Sequence, residues 1–226
     1  MARLARIVIP GIPHHVTQRG NRRETIFFEE SDYRAYLALL GAAAKKTRTQ
    51  IAAYCLMPNH VHLILFPDDE DGLRATLADA HRRYTGRINA RNKWTGHLWQ
   101  GRFGSVAMDE EHFACAVRYV SLNPVRARLV SHAQDWAWSS VRAHLAGVSD
   151  DIVDVALVLE RFPDFPALLK SGEDKEKLLA IRKAESTGRP LGRAAWLNRI
   201  ERVAGRRLRP SKRGPKPKPL FQGQFT

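Results

Sequence analysis

The chain has 226 residues, 44% of them hydrophobic, enough to build a core in one main domain with an appendage. Its 37 Lys and Arg against 23 Asp and Glu leave a net charge of +14, a field that attracts polyanions, nucleic acid foremost among them. No apolar run approaches the ~20 residues of a membrane span, and the two cysteines, Cys55 and Cys115, lack zinc-type spacing.

Pro10 and Gly11 break the short apolar start, so it has too little apolar length for a secretory leader and reads as part of a first strand. The cysteines sit in apolar patterns and read as small buried hydrophobes of a reducing cytoplasm. Arg6 to Gln18 has strand character interrupted by Pro10, Gly11 and Pro13; Gly20 and Asn21 then open a loop beside Arg19, Arg22 and Arg23. Ser31 or Asp32 is placed to cap a helix running to about Thr47, because Tyr36, Leu37, Leu40 and Ala44 recur at helical spacing. Ile51 to Met57 is a short apolar run, Pro58-Asn59 supplies a turn, and His60 to Phe66 resumes as a strand.

From Asp71 through Asn89, Leu73, Leu77, Ala80, Tyr84 and Ile88 form one helical stripe, with Arg74, Arg82, Arg83, Arg87 and Arg91 crowding the remainder. An aromatic, glycine-bearing loop leads into a strand around Phe103 to Ala107. Asp109 to Leu122 is the next helix, with acids in the first turn where the dipole favours them, and Pro124 ends or kinks it. The order β-α-β-β-α-β-α predicts an α+β fold, a mainly antiparallel sheet covered by helices. Residues 1–147 are expected to form this domain and 148–204 a helical extension. Residues 205–226 read as a basic, extended tail, since Arg206, Arg207, Arg209, Lys212, Arg213, Lys216 and Lys218 share that stretch with prolines and no acid.

Two features carry chemistry. On a strand, His60 and His62 point to the same face, and two preorganised imidazoles can chelate one metal ion. Such a site needs a third, oxygen donor, for which Asn123 offers an amide; the plain alternative is two polar residues on a half-buried strand. Tyr119 and Asn123 lie one helical turn apart on one face, with Arg118, Arg126 and Arg128 nearby to grip a phosphodiester. A tyrosine hydroxyl is a poor nucleophile unless it is activated or its leaving group is stabilised, and a tyrosine packed at the core rim is the ordinary alternative.

Five ordered blocks are involved: Pro13-His14-His15-Val16-Thr17-Gln18-Arg19-Gly20-Asn21, Tyr54 to His62, Gly96 to Phe103, Arg118-Tyr119 with Asn123 to Ala127, and Trp136 with Trp138-Ser139-Ser140. Together they resemble the single-tyrosine transposases of the insertion-sequence type, and more closely the REP-associated tyrosine transposases, from Ile7 to about His144. The resemblance implies a ferredoxin-like core with the histidine pair on a central strand. It further implies that Tyr119 attacks a phosphate of single-stranded or hairpin DNA, giving a 5′-phosphotyrosine link, with Mg²⁺ or Mn²⁺ held by His60, His62 and Asn123. His14, Gln18, Arg19, Arg82, Arg83, Arg102, Arg126 and Arg128 are the candidate nucleic-acid contacts, His15 is a candidate for lining the site, and Trp94, Trp99 and Phe103 could stack on bases. Such a protein is expected in the bacterial cytoplasm, nucleoid-associated, and the long segment after residue 148 favours a monomer over a homodimer. The rival readings are a nucleic-acid-binding regulator that does not cleave and a nuclease that uses water.

Overall fold

The alternating segments form four strands, β1 (His14–Arg19), β2 (Gln50–Met57), β3 (His60–Phe66) and β4 (Gly104–Ala107). They are seen in a computed structural model that describes residues 6–209 apart from residue 173. Every neighbouring pair is antiparallel, in the order β2-β3-β1-β4. Helix α1 (Glu30–Lys46) connects β1 to β2, and α2 (Gly72–Asn92) connects β3 to β4. This is the ferredoxin-like β-α-β-β-α-β arrangement, with the antiparallel sheet and covering helices that the pattern predicted.

Period-two alternation divides the core between the two faces of the sheet. Val16, Val61, Leu63 and Leu65 meet α1 and α2, whose Tyr36, Leu40, Leu73, Leu77 and Tyr84 are buried against them. Across the sheet, Ala53, Cys55, Met57, Ile64 and Val106 meet α3 (Glu110–Ser121) through Phe113, Ala116, Val117 and Val120. Each fully buried large side chain here contributes roughly 1.5–3 kcal/mol. Asp109 caps α3, accepting the His112 N–H at 3.0 Å on one oxygen and the Arg193 N–H at 2.8 Å on the other, so one carboxylate both starts the helix and ties down the C-terminal segment.

The short helices α4 (Asn123–Arg126) and α5 (Val141–Ala146) follow, then α6 (Ala156–Leu159), α7 (Phe165–Lys170), α8 (Lys175–Thr187) and α9 (Ala194–Val203). Val158, Phe165, Leu178, Ile181 and Ala184 join the second-face core. The helices after residue 148 therefore complete the cover of the sheet.

Two local expectations are revised. The first strand begins at His14, because Gly11 turns the chain at φ 68° and Ile7 and Ile9 pack against Ile200 and Leu208 instead of entering the sheet. Helix α1 is capped by Glu29, with Asp32 at the third helical position closing a capping box. At the C-terminal end Leu208 is buried while Gly205 and Arg207 are exposed; residues 210–226 of the expected tail lie outside the described residues. Among the described residues no helix is long and apolar enough to cross a membrane.

Candidate active site

The site lies on the second face of the sheet. Strand parity puts His60 and His62 of β3 on that face, and antiparallel pairing brings β1 alongside, with Thr17 opposite His62 and Arg19 opposite His60. His15, two residues before Thr17, therefore faces the same way. The His60 and His62 rings have centroids 4.9 Å apart at 76°. His60 Nδ1 lies 2.6 Å from Asn59 Oδ1. The Asn59 amide nitrogen donates to the Arg23 carbonyl at 2.8 Å, so its oxygen is the end that receives the His60 proton.

His62 Nδ1 lies 3.0 Å from His15 Nε2. The two ring centroids are 5.2 Å apart and the planes within 10°. The excess of the centroid distance over the nitrogen distance is what two ring radii take up, so the rings lie end to end, nearly coplanar, nitrogen facing nitrogen. Glu185 of α8 approaches the far side of His15, with Oε1 3.9 Å from Nδ1. Both atoms are buried without a hydrogen-bond partner. Among the described residues, His15, His62 and Glu185 form a cluster of potential metal donors within 4.8 Å of one another.

Burial governs the charges here. It lowers His15 and His60 to about 4, with Arg19 adding to the effect at His60, and it holds His62 well below the ordinary histidine value. All three imidazoles are therefore neutral near pH 7, the form a metal-binding histidine must take. Burial raises Glu185 to about 7, opposed by Arg19 and Arg182. Two neutral strand imidazoles whose Nδ1 atoms are held by Asn59 and His15 suit a divalent metal.

Tyr119 of α3 reaches this cluster from above the sheet. Its ring stands edge-on to His62 at 5.5 Å and to His15 at 5.9 Å. Arg126 donates to the Tyr119 carbonyl at 3.0 Å and its guanidinium carbon lies 5.2 Å from the ring centre. Arg182 of α8 donates to the phenol. Burial raises the phenol above its ordinary value, Glu185 adds to this, and Arg182 and Arg126 oppose it. Tyr119 also lines a cleft of about 500 Å³ with Arg118, Arg126 and Arg193, and with Lys177 paired to Glu111 and Asp174.

The other predicted residues separate. Arg19 lies at the histidines and Arg126 at the tyrosine. Gln18, on the opposite face of the sheet, lines a second cleft of about 780 Å³ with Arg82, Trp99, Arg102 and Phe103, where the His81 and Trp99 rings lie 4.3 Å apart at 27°. Arg83 is exposed on α2 near Asp79, and Arg128 is exposed at a positive φ of 57°. Trp94 is exposed, whereas Trp99 packs in the core. His14 is fully buried, accepting the Ile9 N–H and donating to the Ile12 carbonyl; with both nitrogens used it has nothing left to offer a nucleic acid. Asn123 opens α4 after Leu122, and its Nδ2 is buried without a partner. Arg182 and Glu185 carry no signal of their role in the sequence. They sit among many charges on α8, and nothing in their spacing marks them.

A family model described as IS200-like transposase matches residues 9–123, just over half of the chain. A Haemophilus influenzae protein described as a candidate REP-associated tyrosine transposase is 26% identical over 102 residues, covering 40% of this chain and 58% of that one. The chain thus spans less than two thirds of that relative. A solved structure of a REP-associated tyrosine transposase bound to a REP hairpin has the same fold, with a TM-score of 0.57 and 22% identity over 69% of this chain and 93% of the other. A crystal structure of a candidate transposase from Deinococcus radiodurans overlaps more loosely, with a TM-score of 0.39 and 19% identity over 53% of this chain and 95% of that one. The matched span takes in β1, the His60–His62 strand and Tyr119, and the chain belongs to the IS200-like transposase family.

Proposed function

We propose that this protein cleaves and rejoins single-stranded or hairpin DNA through a 5′-phosphotyrosine at Tyr119. The observation that carries the reading is the edge-on approach of Tyr119 to His62 at 5.5 Å: a phenol at the histidine pair sits on a helix beside a cleft that Arg118 and Arg126 line. A non-cleaving binder has no need of that juxtaposition, and a water-using nuclease has no need of the tyrosine.

In this reading the Tyr119 oxygen attacks phosphorus, the bond to the 3′ oxygen breaks, and the 5′ phosphate remains on the protein beside a free 3′-hydroxyl. Arg182 and Arg126 favour the phenolate and oppose part of the effect of burial, which still leaves the phenol above its ordinary value. Arg118 and Arg126, on the wall of the cleft, grip the phosphodiester. His60 and His62 would hold a divalent Mg²⁺ or Mn²⁺ through Nε2, with Asn123 offered as the oxygen donor. When bound, the metal polarises the scissile phosphate and stabilises the leaving oxygen, which suits a weakly activated nucleophile. The second cleft, with Arg82 and Arg102 on its wall, is assigned to the strand away from the cut.

The test is a covalent adduct. Incubation with a labelled single-stranded hairpin oligonucleotide and Mn²⁺ should give a protein-DNA band on a denaturing gel. Cleavage without any adduct would replace this reading with the hydrolytic one, and binding without cleavage would replace it with the regulator.

A further inference from the structure

We propose that Glu185 and His15 are positioning residues that set the tautomer of His62, so that the C-terminal helix α8 prepares the metal site on the sheet. The inference rests on the metal-site reading given above and adds to it two residues outside the His60–His62 pair.

A neutral imidazole carries one N–H and one lone pair. The end-to-end contact between His15 Nε2 and His62 Nδ1 at 3.0 Å holds one proton, and it can belong to either ring. If His15 donates it, His62 must carry its own proton on Nε2 and has no lone pair left for a metal. If His62 donates it, His62 Nε2 is a lone pair ready for a metal. Nothing within the histidine pair decides between the two.

Glu185 decides it. Its carboxylate oxygen and His15 Nδ1 are both buried, both without a partner, and 3.9 Å apart. At pH 8 the Glu185 carboxylate is ionised and only accepts, so closing this short gap draws the His15 proton to Nδ1. His15 Nε2 then becomes the acceptor, His62 donates from Nδ1, and His62 Nε2 is released as a donor atom. The same end result holds at His60, whose Nδ1 proton is drawn to the Asn59 oxygen at 2.6 Å. Carboxylate or carbonyl partners of this kind orient metal-binding histidines generally, and removing them costs roughly 10–100-fold in affinity.

The arrangement is held from outside the family-matched segment. Ile181 and Ala184 are buried in the second-face core, and the end of α8 lies directly over β4, where a Cβ at Gly104 would stand 3.1 Å from the Glu185 carbonyl oxygen. The alternative, direct metal ligation by His15, His62 and Glu185 together, conflicts with the end-to-end geometry. The facing nitrogens of His15 and His62 point at each other and do not converge on a third point.

The experiment uses the full chain without DNA. Nitrogen-15 NMR of the histidine rings in metal-free protein at pH 8 should show His62 with the proton on Nδ1. Glu185→Leu should shift His62 toward the Nε2-protonated form and weaken Mn²⁺ binding, followed by electron paramagnetic resonance, at least tenfold. Glu185→Gln, whose amide oxygen can still accept from His15, should restore most of both. His15→Phe, checked for native circular dichroism, should behave as Glu185→Leu does. An unchanged His62 tautomer in Glu185→Leu overturns the proposal, and so does Mn²⁺ bound as tightly as in the wild type, or more tightly. Because neither readout involves strand cleavage, failure of the proposed function alone would leave these signals in place.

Discussion

Tyr119 meets His62 ring-edge to ring at 5.5 Å and 88°, although the two residues are 57 positions apart and lie on different elements. Substituting the tyrosine therefore tests chemistry with little cost to folding. Tyr119→Phe keeps the ring and its packing and removes only the hydroxyl that receives Arg182. We expect DNA binding within about twofold of wild type, no covalent adduct and no cut strand. Undiminished cleavage by this variant would remove the tyrosine from the mechanism.

The histidine pair gives a second prediction. His60→Ala and His62→Ala should each abolish cleavage, and a chelator should reproduce the loss in the wild type. Excess Mn²⁺ or Mg²⁺ should restore the chelated wild type and neither variant. Full activity in the presence of chelator would show that no metal takes part.

Acid should destabilise the protein through its buried neutral histidines. Burial lowers His14 to about 4 from the ordinary 6.5, so between those values the unfolded chain binds the proton that the folded one refuses. This contribution is complete above pH 6.5 and is lost as pH falls through 4, amounting to about 3 kcal/mol for this histidine. His14→Gln should lower stability by about 1 kcal/mol at pH 7 through weakened bonds to Ile9 and Ile12. It should also give a shallower fall in urea midpoint from pH 6.5 to 4. Parallel wild-type and variant curves would show that His14 is protonated in the folded state.

The basic end can be tested without disturbing the fold by cutting after Arg209, since Leu208 is part of a buried cluster with Ile7, Ile9 and Ile200. Residues 210–226 include Lys212, Arg213, Lys216 and Lys218. Their removal should weaken binding to all sequences alike and flatten the salt dependence. The log-log slope should shrink by about 0.7 for each single-strand phosphate that this segment neutralises. The cut position should not change. A shifted cut would show that this segment reads sequence.

Much of the molecule is dictated locally and is therefore legible in the sequence. Leu73, Leu77, Ala80, Tyr84 and Ile88 recur at helical spacing, and all five are fully buried in α2. The parity of His60 and His62 follows from strand geometry alone, and Asp109 caps α3 as an acid at a helix start should. These features depend on neighbours a few residues away, and side-chain periodicity records them. What the tertiary structure decided are the long-range relations. One residue of register on β1 sends His15 to the histidine pair and turns His14 into a turn-holding residue on the other face. Gln18 is parted from Arg19 in the same way. Arg182 and Glu185 look like any other charges on a mixed helix until Ile181 and Ala184 fix where α8 lands. A hydrogen bond or an electrostatic contact acts over a few ångströms of space, and only packing the whole chain determines which distant residues come within that range.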